Sequence, residues 1–144
     1  MLNFEGQVVI VTGSGSPKGI GRTIAQTFAK QGATVVLTDI NQAGVEANAK
    51  EMEAMGGKAY GVAGNICDKA SVDALIADVL EKFGRIDVLI NNAGISQKVT
   101  VADMTLSDMQ RIFSVNVFGL FLITQAVCEV MKKQGYGRIV SLSS

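Results

Sequence analysis

The chain has 144 residues, enough for one domain with a real core, and its 48% hydrophobic content excludes a disordered tail. Thirteen basic residues balance thirteen acidic ones, which argues against nucleic acid or another polyanion as the main partner. There is no histidine, so any acid–base work falls to other side chains.

Strand-like and helix-like runs alternate along the chain. Residues 7–12 (QVVIVT) form a β-branched run that breaks at Gly13. Residues 19–30 carry apolar positions at helical spacing, Ile20, Ile24, Ala25 and Phe28, and stop at Gly32. Residues 33–38 predict a second strand ending at Asp39, and residues 42–55 a helix closed by Gly56 and Gly57. A third strand spans residues 58–63. The amphipathic helix over 69–83 repeats through Val72, Leu75, Ile76, Val79 and Leu80 and ends at Gly84. Residues 86–91 (IDVLIN) predict a fourth strand, 107–133 one long helix and 138–142 a fifth strand. The strands are continuously apolar rather than alternating, the pattern of strands covered on both faces. A helix follows each strand, so the expected fold is a doubly wound, Rossmann-type parallel α/β sheet forming one dinucleotide-binding domain over 1–144.

Cys67 and Cys128 lie far apart, with neither a CxxC pair nor metal-ligand spacing. They read as two buried thiols in an intracellular protein of a reducing, cytoplasmic compartment. The N-terminus has no basic region followed by an apolar run, so no signal peptide is expected. No membrane-spanning stretch without a polar break is expected either. The long helix is apolar nearly all round, including Met109, Phe113, Val117, Phe118 and Phe121. One stripe must face the sheet, and the remainder suggests a subunit interface, hence a homo-oligomer.

The first strand–helix turn runs from Thr12 to Arg22 and places Gly13, Gly15, Gly19 and Gly21 around Ser14 and Ser16. Glycines there let the backbone approach a pyrophosphate, and the following helix start offers free N–H groups. The tight G-x-G-x-x-G spacing is not met, because position 18 is Lys, so on its own this is equally an ordinary glycine-rich connection. Asp39 strengthens the ligand reading. It ends the second strand eighteen residues after Gly21, where a carboxylate can accept from ribose hydroxyls and would repel a 2′-phosphate. NAD is therefore favoured over NADP, although Lys18 is a cation that could serve NADP. The alternative for Asp39 is a plain helix-cap region. After the fourth strand, Asn91-Asn92-Ala93-Gly94 combines a self-bonding turn residue with small residues that leave room for a flat ligand. It can also be a simple Asn-Gly type turn, but the carboxyl end of a central strand is where ligands lie in open α/β sheets.

Together these residues resemble the N-terminal part of the short-chain dehydrogenase/reductase family, of the kind that includes 3-oxoacyl-carrier-protein reductases and polyol dehydrogenases. The likeness runs through Thr12-Gly13 with Gly19-Ile20-Gly21, Asp39, Asn92-Ala93-Gly94, Asn116, and the closing run Gly137 to Ser144. It implies strand order 3-2-1-4-5 and hydride transfer between nicotinamide and a ketone or secondary alcohol. It further implies that Ser14, Ser16 and Ile20 line the phosphates and that Asp39 holds the adenine-side ribose. Asn65 and Ile66 would flank the adenine, although family members usually carry Asp where Asn65 stands. Asn92, Ala93 and Gly94 would lie along the cofactor toward nicotinamide. Asn116 would hold a proton-relay water, and Ser144 (Ser143 in a register shifted by one) would hydrogen-bond the substrate oxygen. Asn116 can also be read as a polar helix residue satisfied by a backbone carbonyl, and the serines as an ordinary strand end.

Two departures stand out. The glycine-rich loop is two residues longer between Gly13 and Gly19 than the commonest family spacing, so a bulged loop is expected. The family's acid–base pair, Tyr-x-x-x-Lys, is missing: Tyr60 is followed four residues on by Gly64, and Tyr136 by Val140. The expectation is a domain truncated before that motif, inactive alone, with residues 95–104 forming one wall of the substrate site. A dimer or tetramer is expected, with a complementary C-terminal chain as a further candidate partner. The rival readings are a non-catalytic nucleotide-binding module that needs such a chain, and a different doubly wound binder such as a methyltransferase.

Overall fold

A computed structural model describes residues 2–143. Its five strands are β1 (Val8–Thr12), β2 (Thr34–Asp39), β3 (Lys58–Ala63), β4 (Val88–Asn91) and β5 (Arg138–Ser141). They lie in the order β3-β2-β1-β4-β5, every neighbouring pair parallel, with Val9 opposite Val35 on one side and Val88 on the other. Five helices connect and cover them: α1 (Ile20–Lys30), α2 (Gln42–Ala54), α3 (Lys69–Phe83), α4 (Leu106–Phe113) and α5 (Leu120–Gln134). A π-helical segment, Ser114–Gly119, joins α4 to α5.

The alternation of side chains along a strand divides the core in two. Val8 and Ile10 of β1 join Leu75, Val79, Ile123 and Val127, so α3 and α5 cover one face. Val9 and Val11 join Ala25, Ala29, Val45 and Met52, so α1 and α2 cover the other. All five residues of β1 are buried. The chain reverses its direction of travel across the sheet between β1 and β4, and a crevice opens there beyond the carboxyl ends of the strands.

The structure corrects three expectations. β4 begins at Val88 rather than at residue 86; Asp87, just before it, turns a fully buried carboxylate that accepts the Val8 N–H at 2.9 Å and pairs with Arg85. Cys67 is exposed and Cys128 partly so, rather than both buried; it is the preceding Ile66 that turns into the core. The long helix is interrupted in its winding. The extra residue in the π turn brings Gly119 against Ile66, where a Cβ would lie 2.8 Å from Ile66 Cγ1, and turns Asn116 back toward the β4 loop.

From Leu106 to Gln134 the helical stretch has 29 residues, long and apolar enough by length and composition alone to cross a bilayer. Here it packs on the sheet through Ile123, Val127 and Met131. Phe113, Phe118 and Phe121 remain 46%, 59% and 57% exposed, a stripe that nothing among the described residues covers. β5 ends the sheet with Val140 half exposed.

Candidate functional site

The crevice is built by close backbone approach between the loops that follow β1 and β4. The Thr12 hydroxyl accepts the N–H groups of Asn92 and Ala93, both at 3.0 Å, and Asn92 Nδ2 donates to the carbonyls of Thr12 and Gly13, both at 3.0 Å. Two glycines make this possible. Gly13 has φ +65°, and a Cβ on it would meet Ala93 Cα at 2.7 Å; a Cβ on Gly21 would lie 2.5 Å from Asn92 Nδ2. Thr12, which sequence reasoning used only as a motif letter, is therefore the staple between the two loops.

The glycine-rich loop then leans over the end of β2. Gly15 N donates to Asp39 Oδ2 at 3.0 Å, and Asn41 N donates to Oδ1 at 3.2 Å. Each carboxylate oxygen thus takes one backbone donor and keeps acceptor capacity, since a carboxylate offers about four lone-pair positions. Ser14 is fully buried and its hydroxyl donates inward to Val11 O at 2.8 Å, so it braces the loop. Ser16 is exposed, and its hydroxyl accepts from Lys18 N. Side chains of Asn41, Asp68 and Thr105 cap α2, α3 and α4, whereas Gly19 gives α1 no side-chain cap. The first-turn N–H groups of α1, at Ile20 and Gly21, find no acceptor among the described residues and stand at the positive end of the helix dipole.

Two hollows share the wall made by Ala93, Gly94 and Ile95. One, of about 260 Å³, is bounded by Gly13, Asp39, Asn65 and Ile66. The other, of about 610 Å³, is bounded by Ile20, Asn92, Asn116, Leu120 and Ser143. Gly13, Ile20, Asp39, Asn65, Ile66, Asn92, Ala93, Gly94 and Asn116 border these two hollows, whereas Ser14, Ser16, Gly19 and Gly21 border neither. Ser144 lies outside the described residues.

Local bonding sets what these side chains present. Asn65 Oδ1 accepts Cys67 N at 3.0 Å, an Asx turn that fixes the loop after β3. The Cys67 thiol sits on the rim of the smaller hollow and donates to Ser114 O at 3.3 Å; burial pushes its pKa up. Asn116 makes a two-point clamp: Oδ1 accepts Ile95 N at 2.8 Å and Nδ2 donates to Ile95 O at 2.9 Å. Its amide is engaged by backbone, the plainer of the two readings open at the sequence level, and the clamp anchors the β4 loop to the π turn. Further out, Asp108 closes a capping box with Thr105 and accepts from Gln97. The Thr105 hydroxyl, then its backbone N–H, lower the Asp108 pKa to about 2.

The family model for short chain dehydrogenases matches residues 7–144. The chain belongs to that family. It is 38% identical over 143 residues to a 3-oxoacyl-[acyl-carrier-protein] reductase of Thermotoga maritima, covering 99% of this chain and 57% of the relative. D-threitol dehydrogenase of Mycolicibacterium smegmatis is also 38% identical over 143 residues, with 99% and 54% covered. A crystal structure assigned to the short-chain dehydrogenases/reductases, from Burkholderia xenovorans, superposes with a TM-score of 0.93 at 34% identity, covering 98% of this chain and 57% of that one. The chain spans about half the length of the curated relatives it matches. It shares the parallel Rossmann-like sheet of that family.

Proposed function

We propose that this chain is the NAD-binding part of an oxidoreductase that moves hydride between nicotinamide and a ketone or secondary alcohol, of the 3-oxoacyl or polyol kind. The observation that carries the reading is Asp39, oriented by the Gly15 and Asn41 amides on the wall that it shares with Ala93 and Gly94. The residues present fit a dinucleotide: an uncapped α1 start for a pyrophosphate, a carboxylate for ribose hydroxyls, and small residues beside a planar ring. Bound there, the cofactor would supply or accept the hydride.

The chain's own residues divide the remaining work. Gly19, Ile20 and Gly21 present backbone donors to the phosphates, and Asp39 accepts from the ribose while repelling a 2′-phosphate. Asn65 and Ile66 flank the adenine. Asn92 holds the wall of the groove in place by its bonds to Thr12 and Gly13. Asn116 positions Ile95, and with it the loop that lines the substrate end. Ser144, or Ser143 in a register shifted by one, is the donor to the substrate oxygen.

A proton donor is still required. Tyr60 is engaged with Asp78 at 2.9 Å, and neither Tyr60 nor Tyr136 borders either hollow. We infer that a segment or chain carrying Tyr-x-x-x-Lys supplies it, and that these 144 residues alone hold cofactor without turnover. The exposed Phe113–Phe118–Phe121 stripe supports self-association, and the lack of paired cysteines supports a cytoplasmic setting. The test is NADH oxidation with a panel of ketones, measured with the chain alone and after adding a fragment that bears Tyr-x-x-x-Lys. Turnover only in the mixture is expected. Turnover by the chain alone, or none in either, contradicts the reading.

A further inference from the structure

The glycine-rich loop between Gly13 and Gly19 lies against α2, and one face of that helix is shaped to receive it. Gly44 stands where a Cβ would lie 2.1 Å from the Gly15 carbonyl oxygen, so the loop backbone rests directly on the helix. One turn later comes Asn48, 3% exposed, whose Nδ2 donates to Ser14 O at 2.8 Å and to Ser16 O at 3.2 Å. Three residues further, Glu51 pairs with Arg22 in the first turn of α1. Residues 44, 48 and 51 fall on one face of α2. The loop and the start of α1 are thereby referenced to the same face of the same helix.

Two acceptors on the loop require two hydrogens from Asn48, so its amide orientation is determined. The peptides here are trans. Because the Gly15 carbonyl faces α2, the Ser16 N–H of the same peptide points away from it, and it finds no acceptor among the described residues. We propose that Asn48, with Gly44, is a positioning residue of the dinucleotide site: it seats the long loop so that the Ser16 amide joins the α1 amides as a pyrophosphate donor. This rests on the nucleotide reading above. It adds a residue on α2 that neither motif spacing nor the groove-lining positions single out.

The experiment compares a ligand with phosphates, NADH, and one without, adenosine, on the full chain. Asn48→Asp keeps the shape but turns carboxylate lone pairs on two carbonyls, and Asn48→Ala removes the donor. Both should weaken NADH at least tenfold and leave adenosine within twofold, which also reports an intact fold. Hydrogen exchange on the unmodified chain gives a second readout: NADH, but not adenosine, should slow exchange of the Ser16 amide. Variants that bind NADH like the parent, NADH and adenosine weakened equally, or NADH bound without protection of Ser16 would each overturn the assignment. Should a variant fail to fold, the exchange measurement decides. A parent that binds neither ligand sinks the nucleotide reading itself, a result separate from parent binding that Asn48 does not influence.

Discussion

Replacing Asp39 with Ala removes a carboxylate that already holds two backbone donors, at 3.0 and 3.2 Å, and so stands ready to accept two more. Hydrogen bonds to a charged group contribute about 1.5–3 kcal/mol each. Asp39 is only half buried, so water competes and the lower end applies, giving about 3 kcal/mol for two ribose hydroxyls. At 1.4 kcal/mol per decade this is roughly a 100-fold loss of NADH affinity. The loss of the negative charge acts in the opposite sense on NADPH, whose 2′-phosphate no longer meets like charge. The ratio of the two dissociation constants should therefore collapse toward unity, with Asp39→Asn falling between. NADH and NADPH fluorescence titrations of parent and variants measure it. A parent that binds NADPH as tightly as NADH, or an alanine variant that keeps its NADH affinity within about threefold, refutes the reasoning.

Three further outcomes are expected. Asn116→Ala leaves the Ile95 N–H and carbonyl without partners, and the urea midpoint should fall by an amount equivalent to about 1–3 kcal/mol. Phe118→Glu should shift any oligomer toward monomer in analytical ultracentrifugation with an unchanged circular dichroism spectrum; a parent that is monomeric at micromolar concentration contradicts the interface. The Asp108 pKa is lowered by Thr105, so its contribution is present above the unfolded value of about 3.9 and disappears as pH falls toward 2. Carboxyl shifts in an NMR titration should place the midpoint near 2, and Thr105→Ala should raise it.

The elements were legible where local sequence decides them. Continuous β-branched runs marked the strands to within a residue or two, and glycines at 84 and 135 in left-handed conformation closed α3 and α5. What lay hidden came from contacts distant in the chain. The π turn goes with two such contacts, Gly119 against Ile66 some fifty residues away and Asn116 with Ile95. Cys67 read as buried by residue type, yet its neighbour Ile66 occupies the core. Asp39, Ala93 and Gly94 could be picked out because motif spacing encodes their place at strand ends. Asn48 could not, since nothing in an exposed-looking run such as Glu46-Ala47-Asn48-Ala49-Lys50 signals that its amide reaches a loop more than thirty residues earlier. The family resemblance places Ser14 along the phosphates, whereas its hydroxyl is turned inward to Val11.

The most direct test of a nucleotide groove across the β1–β4 crevice is an amide chemical-shift titration of the isotope-labelled chain with NADH. Perturbations should cluster at residues 13–21, 39–41, 64–66 and 92–96, the two hollows and the wall between them, and spare the exposed face of α3. Saturable shifts confined to other residues, or none at millimolar NADH, would contradict it.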